Sequence, residues 1–552
     1  MPTRYAIGLD FGTESVRALV VNTTNGHIAG QAVRNYPHGV IDRALPPDAN
    51  DLSIPLPPDY ALQHPQDWLT ASGGACREAM AAAKARPDQV IGVGVDFTSC
   101  TMLPAFADGT PVCLFERFGR VPLAWPKLWK HHAAKGATDR INRVARERNE
   151  PWLARYGGTI GIEWFFPKVL ETLEEEPGVY DVADVWIEGG DWLVWQLVSG
   201  PFPNCSPAHI ARSTCQAGYK AMWNAHDGYP STDYFAAVHP KLADVMAKMP
   251  GTLKSPGTPA GTLTQAAAEL LGLKAGTPVS TATIDAHAGV PGAGVAGAGT
   301  VVLVMGTSSC HMLNATTESL APGIAGVVDG GILPGYFGYE TGQSSVGDAF
   351  GWLTQTFGLS HAQMNERAAE LPPGSGGVLA LDWLNGCRTP LMDGRLSGCF
   401  VGLTLGTRPE QMYRALMEAT AFGVRWIVDT LKAGGVGVDA YVASGGLPAK
   451  SPLLMRIYAD VLNAPIRVAA SDQSCGLGAA ILGASAAQTN PAAVVALTYA
   501  MAPQTSAVTY TPDPQRQAAY EPLYAAYRTL AKPDGELATV MRQLSELRGK
   551  DN

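Results

Sequence analysis

One pattern occurs twice in this chain. Near its start an apolar run, Tyr5-Ala6-Ile7, leads through Gly8-Leu9 to Asp10, and then to a turn holding Gly12, Thr13 and Ser15 before Val16–Val21 turns apolar again. Much later Thr300–Met305 is another apolar, strand-length run, and Gly306-Thr307-Ser308-Ser309 follows it. Backbone N–H groups and hydroxyls in such turns can hold phosphate oxygens, and a carboxylate at the strand end can orient a hydrated Mg²⁺. The plainer reading is a hairpin turn whose Asp10 only caps the loop, repeated at Gly306 by chance. Two such hairpins, one opening each half, predict two related domains facing a shared phosphate site.

Length agrees with that division. A chain of 552 residues is too long for one ordinary core, and 46% hydrophobic with 16% charged residues describes a folded chain. The net charge of −9 argues against nucleic acid and anionic membrane as partners, so any bound anion must be held by local donors. The nine cysteines include no C-x-x-C pair, which favours free thiols in a reducing cytosol over disulfides or a zinc site. The start has no signal-peptide core, and Val301–Met305 is far too short to span a bilayer. A cytoplasmic location is expected.

Between the hairpins, Asn25-Gly26 signals a turn into a returning strand at Ile28–Val33, so the chain opens as an antiparallel meander. No G-x-x-x-x-G-K-[ST] occurs, which removes the P-loop nucleotide folds. Residues 42–65 read as an exposed loop, Trp68–Ala85 as a helix, and Val90–Phe97 as a buried strand ending in Asp96. Adjacent residues on a helix do not share a face, so His131-His132 reads as part of a surface or substrate-facing segment, not a metal site. Lys220, between Tyr219 and Trp223, either snorkels or donates to a polyol hydroxyl. Gly292-x-Gly294-x-x-Gly297 formally matches a dinucleotide fingerprint. No convincing strand precedes it and Pro291 adjoins it, so a hinge or a close approach between domains is expected instead. Further on come Glu340 among aromatics in 336–345, a long helix over Pro409–Leu431, the turn Ala443–Pro448, and a small-residue helix start at Gly476. Beyond residue 490 a Pro/Ala-rich stretch and a polar tail helix carry no legible chemistry.

Taken together, GLDFGTESVR (8–17), GVDFTSCTMLP (94–104), LWKHHAA (128–134), AGYKAMW (217–223), DAHAGVPGAG (285–294), VMGTSSCHML (304–313), GYETGQSSVGD (338–348) and ASGGLPAKSPLL (443–454) resemble the FGGY carbohydrate kinases. The likeness runs in order along nearly the whole chain. It implies an α/β, two-domain actin/Hsp70/hexokinase-like (ribonuclease H-like) fold with an interdomain cleft, divided into residues 1–291 and 292–552. It also implies ATP and Mg²⁺ as cofactors, a small ketopentose as substrate, and leaves a homodimer open.

Residue by residue, the resemblance makes Asp10 the carboxylate that positions Mg²⁺, through water. Gly12, Thr13, Ser15 and Arg17 become a first phosphate loop and Gly306, Thr307 and Ser308 a second, with Gly445, Gly446 and Lys450 at adenosine. Asp285 matches the catalytic base, and Ser99, Lys220, Asp285 and Glu340 the sugar contacts. Within the family the match is nearest to members that phosphorylate L-ribulose, for which O5 would be the acceptor. A kinase for D-ribulose, D-xylulose or ribitol is the alternative, and a non-catalytic ATP-binding chaperone or filament subunit a distant one. The Arg- and aromatic-rich stretch between Phe115 and Pro126 has no matching pattern. An unactivated hydroxyl needs a base within hydrogen-bond reach, for which Asp285 is preferred to His287, because kinases commonly use a carboxylate there.

Overall fold

The strand Tyr5–Phe11 (β1) is buried along nearly its whole length because it is covered on both faces. The computed structural model describes residues 3–47, 53–320, 323, 324, 326–488, 490, 492–505 and 507–548. Ser15–Asn22 (β2) and Ile28–Asn35 (β3) complete an antiparallel meander with β1. Helix Pro65–Ala83 (α1) then carries the chain back so that Val90–Phe97 (β4) lies parallel to β1. An edge strand, Pro259–Thr262 (β5), and a broken strand, Pro278–Ser280 (β6) with Thr283–Ile284 (β7), finish the sheet. Its order is β3-β2-β1-β4-β6-β5, with β7 also paired to β4.

The second sheet repeats the plan. Thr300–Met305 (β8) and Ser309–Ala315 (β9) form a hairpin, Gly326–Asp329 (β10) lies at the edge, and Phe337–Gln343 (β11) pairs antiparallel with β9. After helix Pro409–Ala433 (α3), strand Ala440–Ser444 (β12) is parallel to β8, and Ile466–Val468 (β13) is parallel to β12. With Thr509–Tyr510 (β14) at the far edge, the order is β10-β11-β9-β8-β12-β13-β14. Each sheet is thus a meander whose first strand gains successive parallel strands on its other side. The recurring hairpins are the first two strands of two like sheets.

The halves are joined by bare backbone. Helix Ser474–Ala486 (α4) comes from the later half of the sequence yet lies across β1 and β4 of the first sheet. A Cβ on Gly8 would collide with Gly476 O, and one on Gly94 with Ala479 O. Helix Asp285–Gly292 (α2) crosses α4 just as closely: a Cβ on Gly478 would collide with Ala288 O, and one on Gly292 with Ser474 O. Gly292 of the formal dinucleotide fingerprint therefore ends a helix packed on another helix. The small residues at Gly476–Ile481 serve this same contact.

Three expectations need correction. The exposed loop placed at 42–65 has buried parts, since Ile41 pairs with Leu62 as a β-bridge and Leu45, Tyr60 and Leu62 are core; residues 48–52 of it lie outside the described residues. His131 is not on the surface: it is fully buried with Nε2 2.8 Å from Glu171 Oε2, whereas His132 is exposed. The tail is not merely polar. Helix Pro514–Leu530 buries Tyr520, Tyr524 and Tyr527, and the Tyr527 hydroxyl donates to Asp382 at 3.0 Å.

Candidate active site

Parallel strands deliver their last residues to one edge of a sheet, and here those residues are acids. Asp10 ends β1 opposite Asp96 of β4. On the other side of β4, Thr283 pairs with Asp96 and Ile284 with Phe97, so the next residue, Asp285, opens α2 beside the same edge. Asp96 lies within hydrogen-bonding reach of Asp10. Burial, with the charges of Asp10 and Asp285 added, raises Asp96 well above the carboxylate range. Neither oxygen of Asp96 has a hydrogen-bond partner among the described residues, and a protonated Asp96 would have Asp10 as its acceptor. Asp10 is itself raised by burial, against the pull of Asp96 and of Arg17, whose Nη1 lies 3.1 Å from Asp10 Oδ2. Asp285 is pushed up to about 7, first by burial and then by Asp10 and Glu340, although its Oδ1 accepts the Ala286 N–H at 2.6 Å. An all-oxygen edge of three carboxyl groups fits a hard, hydrated cation such as Mg²⁺ at Asp10.

The first turn is built to stay in place. Gly12 N–H donates to Ser15 O at 2.9 Å, Tyr36 OH to Gly12 O at 3.2 Å, and Gln63 Nε2 to Thr13 O at 2.7 Å. Trp129 Nε1 donates to Thr13 Oγ1 at 3.0 Å, which leaves the hydroxyl proton of Thr13 free to face an anion. The second turn closes in the same way, Gly306 N–H to Ser308 O at 2.9 Å. The start of helix Gly347–Phe357 spends its N–H groups on this turn, Gly347 to Gly306 O and Val346 to Thr307 O. Gly306 and Thr307 are exposed. Ser444 of β12 pairs with Val304, so Gly445 leaves its strand beside Met305, with φ +96° and with no room for a Cβ against Met305 O. Gly446 and Lys450 follow in a short exposed helix.

A third group bridges the two halves. Lys220 Nζ lies 2.8 Å from Glu340 Oε1, and Arg388 Nη2 donates to the same oxygen. His287 Nε2 is 3.5 Å from the other oxygen. Burial alone would raise the Glu340 carboxyl, but Lys220, Arg388 and His287 hold it down at about 2. Burial pulls the Lys220 ammonium down most strongly, but Glu340 and Cys100 together more than offset it, so its affinity for the proton is raised. Burial lowers His287 to about 4, so its imidazole is neutral, tilted 45° against the Tyr219 ring with centroids 4.3 Å apart. Two details differ from expectation. The ring that the ammonium faces is Trp164, 5.6 Å away, and the ion-pair partners of Glu340 are the cations Lys220 and Arg388.

Lys220 and Glu340 both lie close enough for their charges to act on Asp285. Ser99 is half-buried with Oγ 3.3 Å from Cys100 Sγ, and the Cys100 thiol feels the Lys220 charge. Arg388 and Asp96 take part without having been singled out for a role. Nothing local marks Arg388, which is held beside Glu340 by two bonds of its neighbour Thr389 to Gly342, Thr389 N–H to Gly342 O and Gly342 N–H to Thr389 Oγ1, both at 3.2 Å. Asp96 was visible as a strand-end acid, and the parallel pairing with β1 is what joins it to Asp10.

The sequence pattern described as FGGY family of carbohydrate kinases, N-terminal domain, matches residues 5–292, and that of the C-terminal domain matches residues 301–487. The chain is 44% identical to a ribulokinase of Anoxybacillus flavithermus over 96% of this chain and 94% of that one. It is 44% identical to a ribulokinase of Shouchella clausii over 99% and 98% respectively. Among solved structures, a xylulose kinase from Rhodospirillum rubrum superposes with TM-score 0.76 at 22% identity, covering 96% of this chain and 98% of that one. Plasmodium falciparum glycerol kinase with ADP does so with TM-score 0.74 at 16% identity, covering 96% and 99%. At such identities the two structures share the fold.

Proposed function

This chain belongs to the FGGY family of carbohydrate kinases, and on that premise we propose that it transfers the γ-phosphoryl group of ATP to L-ribulose, giving L-ribulose 5-phosphate. The observation that carries the substrate is the likeness to ribulokinases over nearly the full chain. It agrees with a buried Lys220–Glu340–Arg388 group placed to donate to and accept from sugar hydroxyls.

Asp285 is the base in this reading. Support comes from its place at the edge of the sheet and from an affinity for protons of about 7, which suits taking one from an alcohol near neutral pH. Its charged form accepts the O5 proton as that oxygen attacks phosphorus. His287 is the weaker candidate, because its neutral ring, held near 4, is a poorer proton acceptor and is enclosed by Tyr219 and Glu340. Ser99 and Lys220 line the sugar side. Glu340, ionised, accepts a sugar hydroxyl, and pockets that pair a buried polar group with a hydroxyl reject analogues lacking it.

The nucleotide tail would lie between the turn of Gly12, Thr13, Ser15 and Arg17 and that of Gly306, Thr307 and Ser308, with adenosine at Gly445, Gly446 and Lys450. Asp10 would hold Mg²⁺ through water. When bound, the cation neutralises charge on the β- and γ-phosphates. The two turns come from different halves, so closing them on the nucleotide also keeps water from the phosphoryl group.

The test is a kinetic panel of L-ribulose, D-ribulose, D-xylulose and ribitol with ATP. The reading expects the highest kcat/KM for L-ribulose. A higher value for another member would replace L-ribulose as the substrate.

A further inference from the structure

Beside the supports of the first turn, three potential ligands other than Asp10, Asp96 and Asp285 come together. His38 lies on the loop after β3, His64 is the N-cap of α1, and Asp67 stands in that helix's first turn. A donor atom from each lies within 4.8 Å of the other two, the one such His/Cys/Asp/Glu group among the described residues. The Asp67 carboxylate is buried and already oriented: its Oδ2 accepts the His38 N–H at 2.9 Å, and its Oδ1 lies 2.9 Å from His38 Nδ1. The two imidazoles are stacked with centroids 4.3 Å apart and planes 13° apart, and Trp125 meets the edge of His64 at 5.4 Å.

We propose that His38, His64 and Asp67 bind one borderline divalent cation of the Zn²⁺, Co²⁺ or Ni²⁺ class. Two neutral imidazoles and a carboxylate are the ligands such ions take, whereas Mg²⁺ prefers oxygen alone. Bonds of ~2.0–2.2 Å in a tetrahedron put donors roughly 3.3 Å apart, so the group must contract. The His38 side chain is 38% exposed and is the member free to rotate inward, leaving the outer face open to water as a fourth ligand.

The site touches the phosphate turn through its chain neighbours. Tyr36, two residues before His38, holds Gly12 O, and Gln63, next to His64, holds Thr13 O. A bound ion would tie the loop after β3 to the start of α1, and so fix both supports of the turn together. This inference is independent of which sugar the protein phosphorylates.

Titration of the full chain with Co²⁺, in saturating Mg²⁺ to occupy any oxygen-only site, reads the proposal directly. One Co²⁺ per chain is expected, with visible bands of tetrahedral coordination by nitrogen and oxygen. Binding should weaken by at least about tenfold in both His38→Ala and His64→Asn, since loss of a ligand costs no less than loss of an outer partner. The Asn keeps a helix-capping oxygen, so α1 retains its start. Absence of stoichiometric Co²⁺ in the wild type, equal affinity in either variant, or the near-ultraviolet bands of cysteine ligation would overturn the site.

Discussion

Lys220 and Glu340 stand on different halves of the chain, yet the ammonium of one lies 2.8 Å from the carboxylate of the other. The pair is buried, and Arg388 completes it from the Glu340 side. A buried carboxylate with two cations keeps its charge and also keeps an unbonded oxygen, Oε2, for a further donor.

Removing one cation tests that arrangement. Lys220→Met should raise the KM for the sugar and lower kcat/KM by about tenfold to a hundredfold, the range for a hydrogen bond to a charged group of about 1.5–3 kcal/mol. The KM for ATP should stay near the wild-type value. Steady-state kinetics with each substrate varied separately checks this, and a change confined to ATP would move Lys220 out of the sugar site.

Arg388→Gln should act through Glu340. With one cation gone, the Glu340 carboxyl rises from about 2, and sugar binding should be lost at a higher pH than in the wild type. The readout is the KM for sugar against pH below neutrality. A profile identical to the wild type would leave Arg388 with a packing role only.

Asp285 carries the prediction about proton transfer. Asp285→Asn should lower kcat by about 10²–10⁴-fold, the usual contribution of a general base, while ATP binding measured by calorimetry persists. The wild type must hold Asp285 ionised to act, so kcat/KM should fall as pH drops through about 7. Turnover by the Asn variant at the wild-type rate would exclude Asp285.

Asp96 separates a proton donor from a charged ligand. With its carboxyl held well above the carboxylate range, a protonated Asp96 would donate to Asp10, and an Asn amide can do the same. Asp96→Asn should therefore keep the melting temperature close to wild type. Asp96→Ala should cost about 1–3 kcal/mol, because Asp10 loses a buried partner. If the Asn variant melts as low as the Ala variant, Asp96 is needed as an anion.

The crossing of α2 and α4 gives a stability prediction. Gly478→Ala forces a methyl into Ala288 O, so the helices must part, at about 1–3 kcal/mol or more. Thermal unfolding should show it as a lowered midpoint, while Gly446→Ala, in open space, should not.

Much of this was written locally. The strand-turn-strand pattern at Asp10 and at Gly306 marked the first hairpin of each sheet, because apolar runs and glycine turns are set by neighbouring residues. Asp96 was visible as the acid at the end of its strand for the same reason. The exposed surface was harder to read: His131 is polar in sequence, and only a carboxylate forty residues away, Glu171, makes its burial acceptable. Likewise nothing near Tyr527 announces Asp382.

The sequence by itself determined the two hairpins, the family likeness and the residue types available for phosphate and sugar, since those depend on short-range order along the chain. The tertiary structure decided which of them meet. Parallel pairing of β1, β4 and β7 put three acids on one edge, and burial there, not composition, sets where their protons sit. It also brought Arg388 and Lys220 to the same oxygen of Glu340, a contact fixed by long-range packing that no local pattern encodes.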